Sequence, residues 1–371
     1  MIQKKKILFF IKNLAGGGAE KVLLNLLNRL DKDRYDITVQ TIFNQGIYIE
    51  QLPKYVQYKS VFSREFKGFV YLSKLCSPQI LHKWFIKDTY DIEVAFLEGV
   101  CTRIISGCVK PGTKKISWLH TDFRYDKVFL KPYCNLAEAE RVYNTFEQIV
   151  SVSESGLATL RAKIKLISPA QVIYNIIDVE TILRLSKKPQ NLIINSSSRI
   201  VLGAVGRLNH AKGYDRLIHV VSKLKKDGYA VSLYIFGEGS SKNSIQHQIE
   251  KEQLQDDVFI LGFHENPYKF IKSFDLFVCS SYYEGFSSAV CEAVILGVPV
   301  ITTDCSGMKE ILGENNEFGL IVENSEEGLL QGIKQFLDNR SLLQYYQNKV
   351  KERMHIFSPG HTMKLIEDIF H

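Results

Sequence analysis

Tyr283-Glu284-Gly285-Phe286-Ser287-Ser288-Ala289-Val290-Cys291-Glu292 carries two carboxylates eight positions apart, the first ahead of a glycine and the second inside an apolar run. The apolar residues before it predict a strand over 276–280, and the stretch itself predicts a loop and then a helix opening near Ser287. The first amides of a helix have no intrahelical partner, so Gly285, Phe286 and Ser287 can aim N–H groups at a single point, an anion site. Glu284 then sits on the rim of that site. Glu292 lies roughly 7 Å below the helix start at 1.5 Å per residue, its side chain tilted back toward the N-terminus. There it can accept hydrogen bonds from a ribose whose diphosphate rests on the amides. A carboxylate near a sugar, another on a ribose and a phosphate between them describe a nucleotide sugar.

The pair Glu284-Gly285-Phe286 and Glu292 resembles the paired-glutamate motif of retaining glycosyltransferases of family 4. The resemblance spans nearly the whole chain. It takes in Gly206-Arg207-Leu208 followed by Lys212-Gly213, the loop Gly16-Gly17-Gly18, and Asp304-Cys305-Ser306-Gly307-Met308-Lys309-Glu310, which is similar to bacterial capsule and exopolysaccharide transferases. It implies the GT-B fold: an α/β chain of two Rossmann-like domains whose parallel sheets face a cleft, with a C-terminal helix crossing back to the first domain. Ser287-Ser288 stand where many relatives carry Pro or Gly, a change that leaves the backbone amides available.

Local patterning agrees. Short β-rich runs alternate with amphipathic helices, the signature of parallel α/β domains. Strands are predicted over 7–11, 37–43, 92–97, 115–120, 149–153 and 172–175, and again over 200–206, 233–237, 258–262, 276–280, 300–304 and 320–322. Between the two series, 187–199 contains Pro189 and Asn195-Ser196-Ser197-Ser198 and reads as a linker. The predicted organisation is an acceptor-binding domain over 1–186, that linker, a nucleotide-sugar domain over 200–357, and a helix over 358–371 that returns to the first domain.

Composition sets the class. With 371 residues the chain exceeds what one core usually serves, and 45% apolar with 23% charged residues is ordinary globular usage. No apolar run approaches a membrane span, and Lys4-Lys5-Lys6 leads directly into a strand, with no leader peptide, which predicts a cytoplasmic protein. Seven cysteines with no Cys-x-x-Cys pair fit buried thiols. A net charge of +7 suits an anionic donor or an anionic membrane face, and no aromatic-interleaved basic motif points to nucleic acid.

Arg207 directly follows a predicted buried strand, and Lys212 precedes a glycine and a helix over 214–226. Both cations can therefore reach the crevice at the carboxyl ends of the strands, a guanidinium fork and a point charge for a diphosphate leaving group. Gly237 ends another strand and is open to two readings, a close pass by the nucleotide or a simple turn. Phe263 either borders the base or packs. Gly16, Gly17 and Gly18 open a helix where the backbone can approach a ligand. A dinucleotide fingerprint fails there, because Lys21 occupies the third glycine position and Asp36 precedes the second strand. His120, at the end of the strand over 115–120, is structural or, by resemblance, the histidine that contacts the donor sugar.

No metal and no other cofactor is expected. The single Asp-x-Asp, Asp31-Lys32-Asp33, falls after a helix in a surface turn, so Arg207, Lys212 and the helix amides take the neutralising role. Catalytic roles fall to Glu284, His120, Arg207 and Lys212, and donor binding to Gly16, Gly17, Gly18, Gly237, Phe263, Gly285, Phe286, Ser287 and Glu292. The expected partners are a UDP- or GDP-sugar and a glycan acceptor, lipid-linked by resemblance to polysaccharide assembly enzymes. The segment 62–90 mixes Phe66, Phe69, Tyr71, Leu75, Trp84 and Phe85 with Arg64, Lys67, Lys74, Lys83 and Lys87. It reads either as a surface for an anionic bilayer, on the inner face of the cell membrane, or as ordinary helices with solvated lysines. Two other functions share the architecture: a nucleotide-sugar epimerase, and a non-catalytic scaffold of a polysaccharide complex.

Overall fold

The structure, a computed structural model, describes residues 3–123, 129–189, 199–357 and 359–371. It divides into two compact units, Met1–Ile176 with Pro359–His371, and Ile177–Ser358.

Unit 1 is built on a seven-stranded sheet in the order β3-β2-β1-β4-β5-β6-β7. The strands are β1 (Lys5–Ile11), β2 (Tyr35–Phe43), β3 (Gln57–Phe62), β4 (Ile92–Ala95), β5 (Lys114–Leu119), β6 (Gln148–Ser151) and β7 (Ala170–Val172). All neighbours are parallel. A parallel sheet is covered on both faces, and Ile7-Leu8-Phe9-Phe10-Ile11 is accordingly an unbroken buried apolar run. The returning helix Pro359–Phe370 joins this unit. Phe370 is fully buried edge-on against Phe9 and Tyr35, and Glu367 meets Arg34 at 2.9 Å.

Unit 2 carries a six-stranded parallel sheet in the order β10-β9-β8-β11-β12-β13. These are β8 (Ile200–Val205), β9 (Val231–Phe236), β10 (Val258–Gly262), β11 (Leu276–Cys279), β12 (Val300–Thr303) and β13 (Leu320–Val322). Helices Tyr214–Lys226 and Glu326–Asp338 contribute Leu217, Val221, Leu224, Leu329, Ile333 and Phe336 to its core.

In each sheet the strand order reverses once, between β1 and β4 in unit 1 and between β8 and β11 in unit 2. Crevices outside the carboxyl ends of strands at such a reversal are where open α/β sheets bind ligands.

Two differences from the sequence reading have physical causes. β3 is absent from it because Gln57–Phe62 is an edge strand with no fully buried residue, so it carries neither an apolar run nor alternation. The expected domain limit at 186 also shifts. Helix Val179–Ser186 belongs to unit 2, where it packs on helices Tyr268–Ile271 and Ser288–Ile295, and Asn266 donates to the Leu185 carbonyl at 3.0 Å. Most of the expected linker, 190–198, lies outside the described residues.

Candidate active site

The reversal in unit 2 brings together two loops singled out by their sequence. β8 ends at Val205 and runs into Gly206-Arg207-Leu208; β11 ends at Cys279 and runs through Ser280 to Glu284 into helix Ser288–Ile295. The loops are stitched by hydrogen bonds to backbone carbonyls. Tyr282 N–H donates to the Ala211 carbonyl at 2.8 Å, and the Ser280 hydroxyl donates to the Lys212 carbonyl at 2.8 Å. Gly213 takes a left-handed φ of 61°, and a Cβ there would come within 2.1 Å of the Ser280 carbonyl oxygen. No larger residue fits between Lys212 and the helix that follows it.

Lys212 and Glu284 meet at this seam, Nζ to Oε1 at 2.5 Å. Burial alone would lower the Lys212 ammonium; the charge and hydrogen bond of Glu284 outweigh it and hold the group above its ordinary value. Arg207 is exposed, yet near enough for its charge to pull the Lys212 value the other way. The Ser281 hydroxyl also donates to Glu284 Oε1, at 2.7 Å. Among the described residues the Glu284 hydrogen bonds therefore converge on Oε1.

Helix Ser288–Ile295 starts where the sequence places it. Ser287 is its N-cap and accepts from Val290 N–H at 3.5 Å. Gly285, Phe286 and Ser287 are buried, and the next loop presses on them: a Cβ on Gly307, at φ 78°, would lie 2.6 Å from the Gly285 carbonyl oxygen. Glu292 is the fifth residue of the helix and 4% exposed.

Gly237 has its own steric account, since a Cβ would stand 1.9 Å from the Gly206 carbonyl oxygen. The glycine lets the loop after β9 close on the loop after β8. At the end of β10, His264 packs edge-on against Phe236 and Phe270, whereas Phe263 is 51% exposed and available to a planar ligand.

Two residues escaped the sequence reading. Arg216, on helix Tyr214–Lys226, is buried and donates to the carbonyls of Ser280 at 2.8 Å and Ser281 at 2.6 Å, with its guanidinium 4.1 Å from the Tyr282 ring centre. It fixes the backbone on which Ser281 and Glu284 ride. In unit 1, Glu98 follows β4 at the reversal and accepts from His120 N–H at 2.9 Å. Burial raises its carboxyl above the usual range, with Glu20 adding to the effect. Its signal was present, because Phe96-Leu97-Glu98-Gly99 repeats the strand, acid, glycine order of Glu284-Gly285.

Also in unit 1, Gly16 adopts φ 97° and Gly17 caps helix Gly18–Leu27 beyond the end of β1. His120 follows β5; its ring lies 4.8 Å from that of Phe96, and its Nε2 is buried with no hydrogen-bond partner among the described residues. Burial pushes the imidazole down to about 3, so the ring is neutral.

The segment 62–90 divides its side chains. Phe62, Phe66, Phe69 and Phe85 form an aromatic cluster with Phe43, mostly through edge-to-face contacts. Tyr71, Leu72, Leu75 and Trp84 point out, each more than half exposed, beside exposed Lys67, Lys83 and Lys87. No helix among the described residues is long and apolar enough to cross a membrane.

Comparison with known proteins covers both units. The model described as Glycosyltransferase Family 4 matches residues 16–181, and that described as Glycosyl transferases group 1 matches residues 187–353. The chain is 29% identical over 374 residues to the N-acetylgalactosamine-N,N'-diacetylbacillosaminyl-diphospho-undecaprenol 4-alpha-N-acetylgalactosaminyltransferase of Campylobacter jejuni, covering 95% of this chain and 96% of the relative. It is 31% identical over 185 residues to the poly(ribitol-phosphate) alpha-N-acetylglucosaminyltransferase of Staphylococcus aureus, 49% of this chain and 38% of that one. Among solved structures, Anabaena Alr3699/HepE in complex with UDP and glucose superposes with a TM-score of 0.76 at 19% identity, covering 99% of each chain. TarM gives 0.73 at 16% identity, covering 100% of this chain and 99% of the other. The fold is that of the GT-B transferases.

Proposed function

The chain belongs to the family 4 glycosyltransferases, and from that premise we propose that it moves a sugar, with retention, from a UDP- or GDP-sugar onto a lipid-linked glycan acceptor in cell-surface polysaccharide biosynthesis. The observation that carries the reading is the Lys212–Glu284 contact at the unit 2 strand reversal, next to the start of the helix that buries Glu292. Lys212 and Arg207 face the diphosphate. Glu292 takes the ribose hydroxyls, and Glu284 turns Oε2, the oxygen that neither Lys212 nor Ser281 uses, to a sugar hydroxyl.

As the bond from the anomeric carbon to the phosphate oxygen breaks, charge grows on the phosphate and Lys212 and Arg207 stabilise it. The acceptor oxygen bonds to the same face of the anomeric carbon, and its proton passes to the departing phosphate. Positive groups already line the diphosphate site, so no metal is required.

Relatives and neighbours support the substrate classes. The Campylobacter relative is named for a diphospho-undecaprenol acceptor, and the Anabaena neighbour was solved with UDP and glucose. The outward aromatic residues and lysines of 62–90 suit an anionic bilayer in which such an acceptor sits.

A thermal-shift panel of nucleoside diphosphates and nucleotide sugars tests the donor. A ligand at a hundred times its dissociation constant adds about 2.7 kcal/mol of stability. One base series should raise Tm; a flat panel across UDP, GDP and their sugars would contradict the reading.

A further inference from the structure

Unit 1 contains a second cluster of reactive side chains that plays no part in the transfer described above. His82 on helix Pro78–Phe85, Glu93 on β4 and Cys108 in the turn after helix Val100–Ile105 bring one ligand atom each within 4.8 Å of one another. They are 4%, 0% and 6% exposed. Their convergence is built into the backbone: a Cβ on Gly107 would fall 2.0 Å from the Pro78 carbonyl oxygen, so the turn carrying Cys108 is pressed onto the start of the His82 helix.

His82 Nε2 lies 2.6 Å from Glu93 Oε2. That contact leaves Glu93 Oε1 buried with no hydrogen-bond partner among the described residues. An orphaned buried carboxylate oxygen loses its hydration with nothing in return, and native structures rarely leave one without a reason. Imidazole, carboxylate and thiolate are together the ligand set of zinc, with bonds of about 2.0–2.3 Å. A divalent ion also balances the charge, since carboxylate plus thiolate contribute two negative charges beside a neutral imidazole.

We propose that His82, Glu93 and Cys108 form a structural zinc site, with Glu93 binding through both oxygens to complete four-coordination. Zinc enters as the imidazole and thiol each give up a proton to solvent. The ion cross-links the helix of His82, the central strand β4 and the Cys108 turn. It is sealed in the core of unit 1 and takes no part in neutralising the donor diphosphate. The competing occupant is a proton shared by His82 and Glu93: burial lowers the imidazole, but Cys108 and Glu93 outweigh it and hold it at about 9.

Elemental analysis of the full chain, purified without a polyhistidine tag and freed of loose metal, separates the two. The proposal expects roughly one zinc per chain in the parent and its loss in Cys108→Ala and His82→Gln. Refolding the parent with cobalt should give a thiolate-to-cobalt charge-transfer absorption, a readout that stands even where the variants do not fold. A parent that is zinc-poor both as purified and after refolding with zinc, with no such absorption with cobalt, is held by the shared proton and overturns the proposal.

Discussion

Lys212 Nζ lies 2.5 Å from Glu284 Oε1, joining the loop after β8 to the loop after β11 where the strand order of unit 2 reverses. The ammonium is kept charged by its partner and is tethered at its backbone, where the Lys212 carbonyl accepts from Ser280. It is thus a fixed positive group beside the start of helix Ser288–Ile295, placed before any ligand arrives. Preorganised charge of this kind stabilises a developing anion without reorganisation at the moment of reaction.

Lys212→Ala and Arg207→Ala should each lower kcat by about 10²-fold, with a smaller change in donor affinity, because the charge they meet grows in the transition state. Steady-state kinetics on folded protein checks this. EDTA in the same assay should leave turnover largely intact, because the role proposed for these groups is to neutralise the diphosphate in place of a divalent ion.

The two glutamates should separate by what they touch. Glu292→Gln should weaken binding of UDP or GDP itself, since a ribose contact is present throughout the reaction. Glu284→Gln keeps an oxygen for the Ser281 hydroxyl but loses the charge facing Lys212, and should reduce transfer while nucleotide affinity stays near the parent's. Calorimetric titration with the nucleoside diphosphate measures both, and an equal loss would refute this division of labour.

The loops of the candidate site were legible in the sequence because most of their residues lie beside a strand end or a helix start, where glycines and acids stand out against apolar runs. Gly206-Arg207, Gly213 and Glu284-Gly285 are such punctuation, and the structure places all of them at one strand reversal. What stayed hidden depends on tertiary contact. Arg216 reads as one more polar residue in a helix until Ser280 and Ser281 offer it their carbonyls. Helix Val179–Ser186 looks like the end of the first domain until Asn266 and its neighbours draw it into the second. The edge strand β3 has no buried face to give it a period.

His120 provides a pH test. Its folded value, about 3, lies below the ordinary 6.5, so the stability its neutral ring contributes is complete above pH 6.5 and is lost as pH falls toward 3. The slope in that window is at most about 1.4 kcal/mol per pH unit, reduced because the residue as a whole is only partly buried. Urea unfolding at pH 7 and pH 5 should show His120→Gln losing less stability than the parent, and an unchanged difference between the two pH values would refute the burial account.

Replacing Lys67, Lys74, Lys83 and Lys87 with Glu should reverse an attraction worth about 1 kcal/mol per cation near an anionic surface. All four lie in unit 1, so nucleotide binding by unit 2 should persist. Sedimentation with anionic liposomes and turnover of a lipid-linked acceptor should both fall. Cosedimentation equal to the parent's would assign 62–90 to ordinary packing.

The central claim is glycosyl transfer with retention, and the most direct measurement is proton NMR of a reaction containing the nucleotide α-sugar chosen by the binding panel and a lipid-linked acceptor. The account predicts that the donor anomeric signal falls while an α-linked product signal rises in step, and that neither change occurs when the acceptor is left out, beyond slow hydrolysis. A β-linked product, or conversion of the donor to an isomer without acceptor, would contradict it.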